Sequence, residues 1–142
     1  MVTPDEVGWF RSAILFPLSD GVALVVFVLV GIRSHHEAGA ADLFLRNAVP
    51  LEVMWFAVVA FSGAYRRPGL RTLLGTWIVA VPAGLVVRTL WVGSPNGFRL
   101  LTFLSVGSAF SLIFLLAGRA AAGFACRRMR FRRGIERGSI SP

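Results

Sequence analysis

The sequence is poor in charge, in cysteine and in the short motifs that mark enzymes. Charged residues make up 15% of its 142 residues and hydrophobic residues 56%, whereas soluble domains average about 25% charged and about 45–50% apolar. This balance argues against a soluble globular domain and, more strongly, against a disordered chain. Cys126 is the single cysteine, so an internal disulfide and a cysteine-based metal cage are both excluded.

Enzyme signatures are missing as well. The sequence contains no phosphate-binding loop, no Gly-x-Ser-x-Gly elbow and no His-Glu-x-x-His helix. We therefore expect a protein that is not an enzyme and that holds no cofactor and no metal ion.

The apolar residues fall into four stretches, and each is close to the length of about 20 residues that a helix needs to cross a membrane. Helices are expected because lipid offers no partners to backbone N–H and C=O groups. The connections between the stretches are short and carry Gly or Pro, so neighbouring helices must run antiparallel. The predicted spans cover residues 13–33, 43–64, 70–92 and 98–126.

The sequence thus predicts an all-α fold, an integral membrane four-helix bundle. We expect residues 1–12 to form a cytoplasmic N-terminus and residues 127–142 to form a basic, disordered cytoplasmic tail.

All fifteen basic residues are arginines, and lysine is absent. With the N-terminus in the cytoplasm, eleven arginines fall on the cytoplasmic side and four on the other side. This asymmetry follows the positive-inside rule and places both termini in the cytoplasm. It also accounts for most of the net charge of +8 without nucleic acid. We expect a multi-pass protein of the cytoplasmic membrane.

Ionisable residues inside the apolar stretches are the candidates for function, because each costs roughly 2.5–3.5 kcal/mol at the centre of a span. Asp20 lies in the first stretch and has two interpretations. It is either a proton or cation site, or part of a helix start with Pro17 and Ser19, where a carboxylate meets free N–H groups. The sequence favours the helix start.

Glu52 is the deeper acid, about ten residues into the second stretch. Arg88 and Arg46 are its candidate partners across helices, and the alternative is a purely structural pair that stabilises packing. The candidate intramembrane polar site therefore consists of Asp20, Arg46, Glu52 and Arg88.

A second polar cluster lies in the first connection, on the predicted outer side, and consists of Arg33, His35, His36 and Glu37. Adjacent histidines lack the spacing of a firm zinc motif. We interpret the cluster as a solvated loop, with a pH-sensitive switch and a metal site as the alternatives.

The tail follows the fourth stretch directly and is strongly basic. Such a juxtamembrane segment attracts anionic lipid by about 1 kcal/mol per basic residue. The tail shows no nucleic-acid-binding module. The residues expected to contact lipid are Arg127, Arg128, Arg130, Arg132 and Arg133.

Small residues four apart mark places where helices approach closely. The pairs are Ala60 and Ala64, Ala80 and Gly84, Gly107 and Ser111, and Gly118 and Ala122.

A series of short motifs runs through the apolar part of the chain. The motifs are Asp20, Val26-Phe27-Val28, Gly31-Ile32-Arg33-Ser34-His35, Leu45-Arg46-Asn47-Ala48-Val49-Pro50, Arg66-Arg67-Pro68, Gly75-Thr76-Trp77, Gly84 with Arg88, Phe103, and Gly118-Arg119. Together they resemble domain-of-unknown-function family 3054, small integral membrane proteins of bacteria and archaea.

The resemblance covers about residues 19–121 and implies a four-helix membrane protein, with no reaction, ligand or partner. It adds weight to Asp20, Arg33, His35, Arg46 and Arg88 as candidate functional residues. Glu52 departs from the family's pattern, because Val-Pro-Leu-Glu stands where the family has Pro-Phe and an apolar residue.

We expect a small transport or channel-like protein, or a subunit of one. Four spans enclose little space, so transport would need a homo-oligomer or a partner membrane subunit. The alternative is a structural or accessory subunit that packs against a partner without transport or catalysis.

Overall fold

The computed structural model describes residues 4–34, 40–66, 69–92 and 98–138. These residues confirm the predicted all-α fold, since they contain no strand and form four helices that are each long and apolar enough to cross a membrane. The helices are α1 (Pro4–Ser34), α2 (Ala40–Ser62), α3 (Leu70–Val92) and α4 (Phe98–Gly138).

α1 begins at Pro4, well before the first apolar stretch, and continues past Pro17. The interpretation of Asp20 as part of a helix start is therefore wrong, because this residue lies in the middle of a continuous helix. The physical reason is visible in the sequence. Pro is favoured in the first turn and acids are favoured near a helix N-terminus, so Pro4-Asp5-Glu6 provides a better start than Pro17–Asp20.

α4 extends through the basic segment to Gly138, where the sequence had led us to expect a disordered tail. The stretch from Phe98 to Gly138 contains no proline. Alanine and arginine, which are frequent near its end, have high helix propensity. The helix therefore continues beyond the apolar residues instead of ending with them.

The four helices form a ring in which consecutive helices are in contact and α1 also contacts α4. The described residues show no contact between α1 and α3 or between α2 and α4. The contacts are most extensive between α2 and α3 and between α1 and α4. We call the end of the bundle that holds the start of α1 and the end of α4 the terminal side, and the other end the opposite side.

Two glycines allow the two extensive contacts. A Cβ atom on Gly84 of α3 would lie 3.0 Å from the Cα atom of Leu51 on α2. A Cβ atom on Gly118 of α4 would lie 3.0 Å from the Ser19 hydroxyl oxygen and 3.2 Å from the Ala23 Cβ atom on α1. The predicted close approach at these two positions is confirmed, and it rests on the missing side chains.

Apolar side chains cover both the inside and the outside of the ring. Leu24, Trp55 and Leu115 are fully buried, whereas Phe61 and Leu90 are 93% and 79% exposed. Large exposed apolar side chains occur along all four helices. A water-facing surface of this kind is unusual, and a lipid-facing surface explains it.

Candidate functional site

A buried ion pair joins the first and last helices. Asp20 on α1 is completely buried, and the Arg119 side chain on α4 is 10% exposed. Arg119 Nε donates to Asp20 Oδ1 at 3.0 Å, and Arg119 Nη2 donates to Asp20 Oδ2 at 2.8 Å. The geometry is the bidentate pairing that makes guanidinium–carboxylate contacts strong and directional. The charge of Asp20 is therefore fully compensated inside the bundle.

The turn after α2 adds a third partner to this pair. Gly63 adopts a left-handed conformation (φ 63°) that ends α2, and its N–H bonds the Val59 carbonyl oxygen. The chain then turns back, so that the Tyr65 hydroxyl donates to Asp20 Oδ2 at 3.1 Å. The Trp55 indole N–H in turn donates to the Tyr65 hydroxyl at 3.2 Å. We call Asp20, Arg119, Tyr65 and Trp55 the terminal-side network.

Tyr65 is held in its neutral form by this environment. Burial raises the pKa of its phenol, and the negative charge of Asp20 raises that pKa further. The hydroxyl group can therefore donate to Asp20 throughout the physiological pH range.

Glu52 lies on α2 beside the network but is not part of it. A Cβ atom on Gly21, the neighbour of Asp20, would lie 3.7 Å from Glu52 Oε2. Glu52 Oε1 is buried and has no hydrogen-bond partner among the described residues. No ion pair among the described residues includes Glu52. One oxygen of this carboxyl group is therefore buried in the apolar region without a hydrogen bond from the described part of the chain.

The predicted partners of Glu52 make other contacts. Arg46 forms an exposed ion pair of 2.9 Å with Asp42, one turn earlier on α2. Arg88 Nε donates to Asn47 Oδ1 at 2.8 Å, and its guanidinium lies 4.9 Å from the centre of the Phe103 ring. We call Asn47, Arg88 and Phe103 the opposite-side cluster. The four candidates therefore do not form a single site. Asp20 and Glu52 lie near each other, Arg88 lies on the opposite side of the bundle, and Arg46 lies on the surface.

The polar cluster of the first connection falls largely outside the described residues. Arg33 is exposed in the last turn of α1, but His35, His36 and Glu37 are not among the residues described. The described part of the chain contains no group of three or more His, Cys, Asp or Glu residues that could hold a metal ion. In the tail, Arg127 and Arg128 are exposed on α4. The side chains of Arg130, Arg132 and Arg133 lie outside the described set.

Sequence reasoning missed Arg119, which it counted among the cytoplasmic charges. A usable signal was present, because Arg119 lies inside the fourth apolar stretch, well before the basic tail. In an alternating topology it has the same approximate depth as Asp20. Opposite charges at similar depths on two spans predict a pair. Tyr65, the only tyrosine in the chain, was interpreted as part of a connecting loop.

These features define a class of protein, a four-helix protein whose helices can span a membrane and whose buried ion pair closes the ring between the first and last helices. The family model described as protein of unknown function (DUF3054) matches residues 18–122. The chain belongs to this family, and the match includes Asp20, Glu52, Arg88 and Arg119. No curated protein and no solved structure matches the chain.

Proposed function

We propose that this chain is a small transport or channel-like membrane protein, or a subunit of one, in which Glu52 is the binding site for a proton or a small cation. The observation that supports the proposal is the buried Glu52 Oε1 atom, which has no hydrogen-bond partner among the described residues. Leaving a buried polar group unsatisfied costs about 1–3 kcal/mol, and more for a charged group. A proton or cation held by this oxygen would remove that cost.

Asp20 provides the contrast that supports this assignment. Both oxygens of Asp20 accept hydrogen bonds, from Arg119 and Tyr65, so a structural role accounts for it completely. Glu52 on α2 lies close by, since its Oε2 atom would be 3.7 Å from a Cβ atom on Gly21, the neighbour of Asp20 on α1. An incoming proton or cation at Glu52 would supply the partner that the fold does not supply.

The position of Glu52 also favours an assembly of several copies. The residue is half-buried, and Val53 and Phe56, its neighbours on α2, are exposed apolar residues. A carboxyl group at the edge of a lipid-facing surface would be better sheltered by a second copy of the chain. We therefore propose a homo-oligomer in which Glu52 lies near the interface between copies.

The proposed location is the cytoplasmic membrane of a bacterial cell, with both termini in the cytoplasm. The arginine asymmetry supports this orientation, although Arg119 belongs to the ion pair and no longer counts as a surface charge. Single cysteines at Ser94 or Ser139, in a Cys126→Ser background, test it with an impermeant thiol reagent on intact cells. We expect Ser94→Cys to be labelled and Ser139→Cys to be protected, and the reverse pattern would reject the orientation.

The transport proposal is tested by reconstitution into liposomes. Proton and sodium flux are measured with entrapped dyes for wild type, Glu52→Gln and Asp42→Asn. Asp42 is the matched control, because it is an acid on the same helix that pairs with Arg46 on the surface. We expect flux above that of empty liposomes for wild type and Asp42→Asn, and loss of that flux for Glu52→Gln. Wild-type flux equal to that of empty liposomes would reject transport of both ions.

A structural or accessory subunit is the second candidate function. The observation that favours it is the terminal-side network. In this network Trp55 donates to Tyr65, and Tyr65 and Arg119 both donate to Asp20. Native mass measurement in lipid nanodiscs, together with crosslinking in cells, separates the candidates. Copies of this chain alone would support the transporter, and a different co-purifying membrane subunit would support the accessory role. A lone monomer would count against both.

The basic end of α4 is proposed to bind anionic lipid. Arg127 and Arg128 are exposed at the end of the apolar part of the helix. Attraction of about 1 kcal/mol per basic residue near an anionic surface makes this segment a lipid contact. Replacing both by Gln should weaken retention of a bound anionic lipid in native mass spectra.

A further inference from the structure

A cavity of about 580 Å³ lies in the opposite half of the bundle, away from the terminal-side network. All four helices contribute to its walls, and most of the lining is apolar. Its size falls within the range of about 300–1,000 Å³ that is typical of small-molecule sites. Its lining includes Val30, Gly31, Asn47, Arg88, Phe103 and Phe110.

Arg88 is the charged residue among the described residues that line the cavity. The hydrogen bond to Asn47 and the contact with the Phe103 ring hold its guanidinium in place. Asn47 is itself anchored, since its Nδ2 donates to the Leu43 carbonyl oxygen at 2.6 Å. The cavity therefore presents a positioned cation at one place and mostly apolar walls elsewhere.

The cavity opens toward the lipid-facing surface of the bundle. Its exposed lining residues include Val30 on α1 and Val106 and Phe110 on α4, and all three lie within the apolar spans. Gly31 leaves additional space on the α1 wall, because a Cβ atom there would meet nothing within 4 Å. A molecule could therefore enter from the hydrocarbon layer between α1 and α4.

We propose that this cavity binds a single-chain amphiphile with a carboxylate head, such as a long-chain fatty acid. The chain would lie along the apolar walls, and the carboxylate would meet the planar guanidinium of Arg88, whose geometry suits a carboxylate. An amphiphile that enters from the bilayer would pass through the opening, which is lined by apolar residues that face lipid. This inference does not rest on the transport proposal, which concerns Glu52, a residue that is not among those lining the cavity.

The test uses the full chain in nanodiscs of a zwitterionic phospholipid, with the conjugated fatty acid cis-parinarate as the fluorescent probe. We expect energy transfer from tryptophan to the bound probe and displacement by hexadecanoate. Hexadecanol, which has the same chain and no charge, should compete about ten- to hundredfold more weakly, as expected for the loss of a charge-assisted hydrogen bond. Equal competition by hexadecanol, or tighter binding of hexadecyl phosphate than of hexadecanoate, would overturn the proposal.

Variants locate the site. Arg88→Gln should weaken probe binding by about ten- to hundredfold, whereas Arg71→Gln, which removes an exposed arginine from the same helix, should leave binding unchanged. Gly31→Leu fills the α1 wall while retaining the charge, and it should also weaken binding, which keeps the test valid if Arg88→Gln does not fold. Unchanged binding in Gly31→Leu would place the probe elsewhere and reject the cavity.

Discussion

The two polar regions of this bundle are built in opposite ways. On the terminal side, both oxygens of Asp20 are bonded by Arg119 and Tyr65, and Asp20 and Trp55 have no exposed surface. On the opposite side, Arg88 is positioned by Asn47 and Phe103 at the wall of a large cavity. The first arrangement connects helices, and the second leaves room for a ligand. A charged residue inside the bundle therefore does not identify a functional site by itself. The contacts around the charge show whether it joins helices or faces a space for a ligand.

The largest expected effect comes from breaking the terminal-side ion pair. Arg119→Gln leaves Asp20 as an uncompensated buried charge, and we expect a loss of about 3–5 kcal/mol in the free energy of unfolding. The double variant Asp20→Asn, Arg119→Gln should recover much of this loss, because no unpaired charge remains. Denaturation in mixed detergent micelles measures both. A double variant as unstable as the single variant would show that the charge pairing is not the source of the effect.

The close helix contacts should rank second. Gly84→Ala and Gly118→Ala place a Cβ atom against the neighbouring helix and should each cost about 1–3 kcal/mol through overpacking. Gly75→Ala and Gly123→Ala are matched controls on the same two helices, since their Cβ atoms would meet nothing within 4 Å. The controls should be neutral or stabilising by up to about 1 kcal/mol, from helix propensity. Equal effects in all four variants would contradict the assigned contacts.

Removing the Tyr65 hydroxyl should have a smaller effect. Tyr65→Phe deprives Trp55 and Asp20 of one partner each, and a loss of about 1–2 kcal/mol is expected, with a shift in tryptophan fluorescence. Retention of full stability would mean that the hydroxyl contributes nothing to the network.

Tyr65 also predicts a pH dependence, because its pKa is raised in the folded protein. Its contribution is fully present below the unfolded pKa of about 10 and is lost as the pH rises above that value. Since the chain has one tyrosine, ultraviolet absorbance reports its ionisation directly. We expect no tyrosinate signal near pH 10 before unfolding. A signal at the ordinary pKa in the folded protein would contradict the burial.

The opposite-side cluster should contribute least to stability. Asn47→Ala removes its bond to Arg88, and we expect a loss of about 1 kcal/mol. The same variant should weaken binding of the carboxylate probe, because Arg88 loses one of the contacts that position it. If Asn47→Ala lost much stability and bound the probe as wild type does, the opposite-side cluster would be a structural contact and not part of a ligand site.

The fold was largely predictable from the sequence. α3 begins and ends where its apolar stretch does, and the short glycine- and proline-containing connections indicated antiparallel neighbours. Gly84 and Gly118 were recognised from their spacing with other small residues. The start of α1 and the end of α4 were not predicted. Both helices continue beyond the apolar residues, and hydropathy detects only the apolar part of a helix.

The candidate site was predictable only in part. The sequence singled out Asp20, Glu52 and Arg88, because charged residues are rare within apolar stretches. It did not identify their partners. Arg119 is 99 residues from Asp20 along the chain, and Asn47 is 41 residues from Arg88. Such pairs depend on how each helix is rotated about its own axis.

The four apolar helices and the charged residues they contain follow from the amino-acid sequence, because lipid requires helices and penalises isolated charges. Three features depend on the packing of the helices instead: Asp20 is paired, Glu52 Oε1 has no partner among the described residues, and Arg88 lines a cavity. The physical reason is that these helices are hydrophobic on nearly every side. Periodicity then does not show which face is turned inward, and only packing between the helices makes that choice.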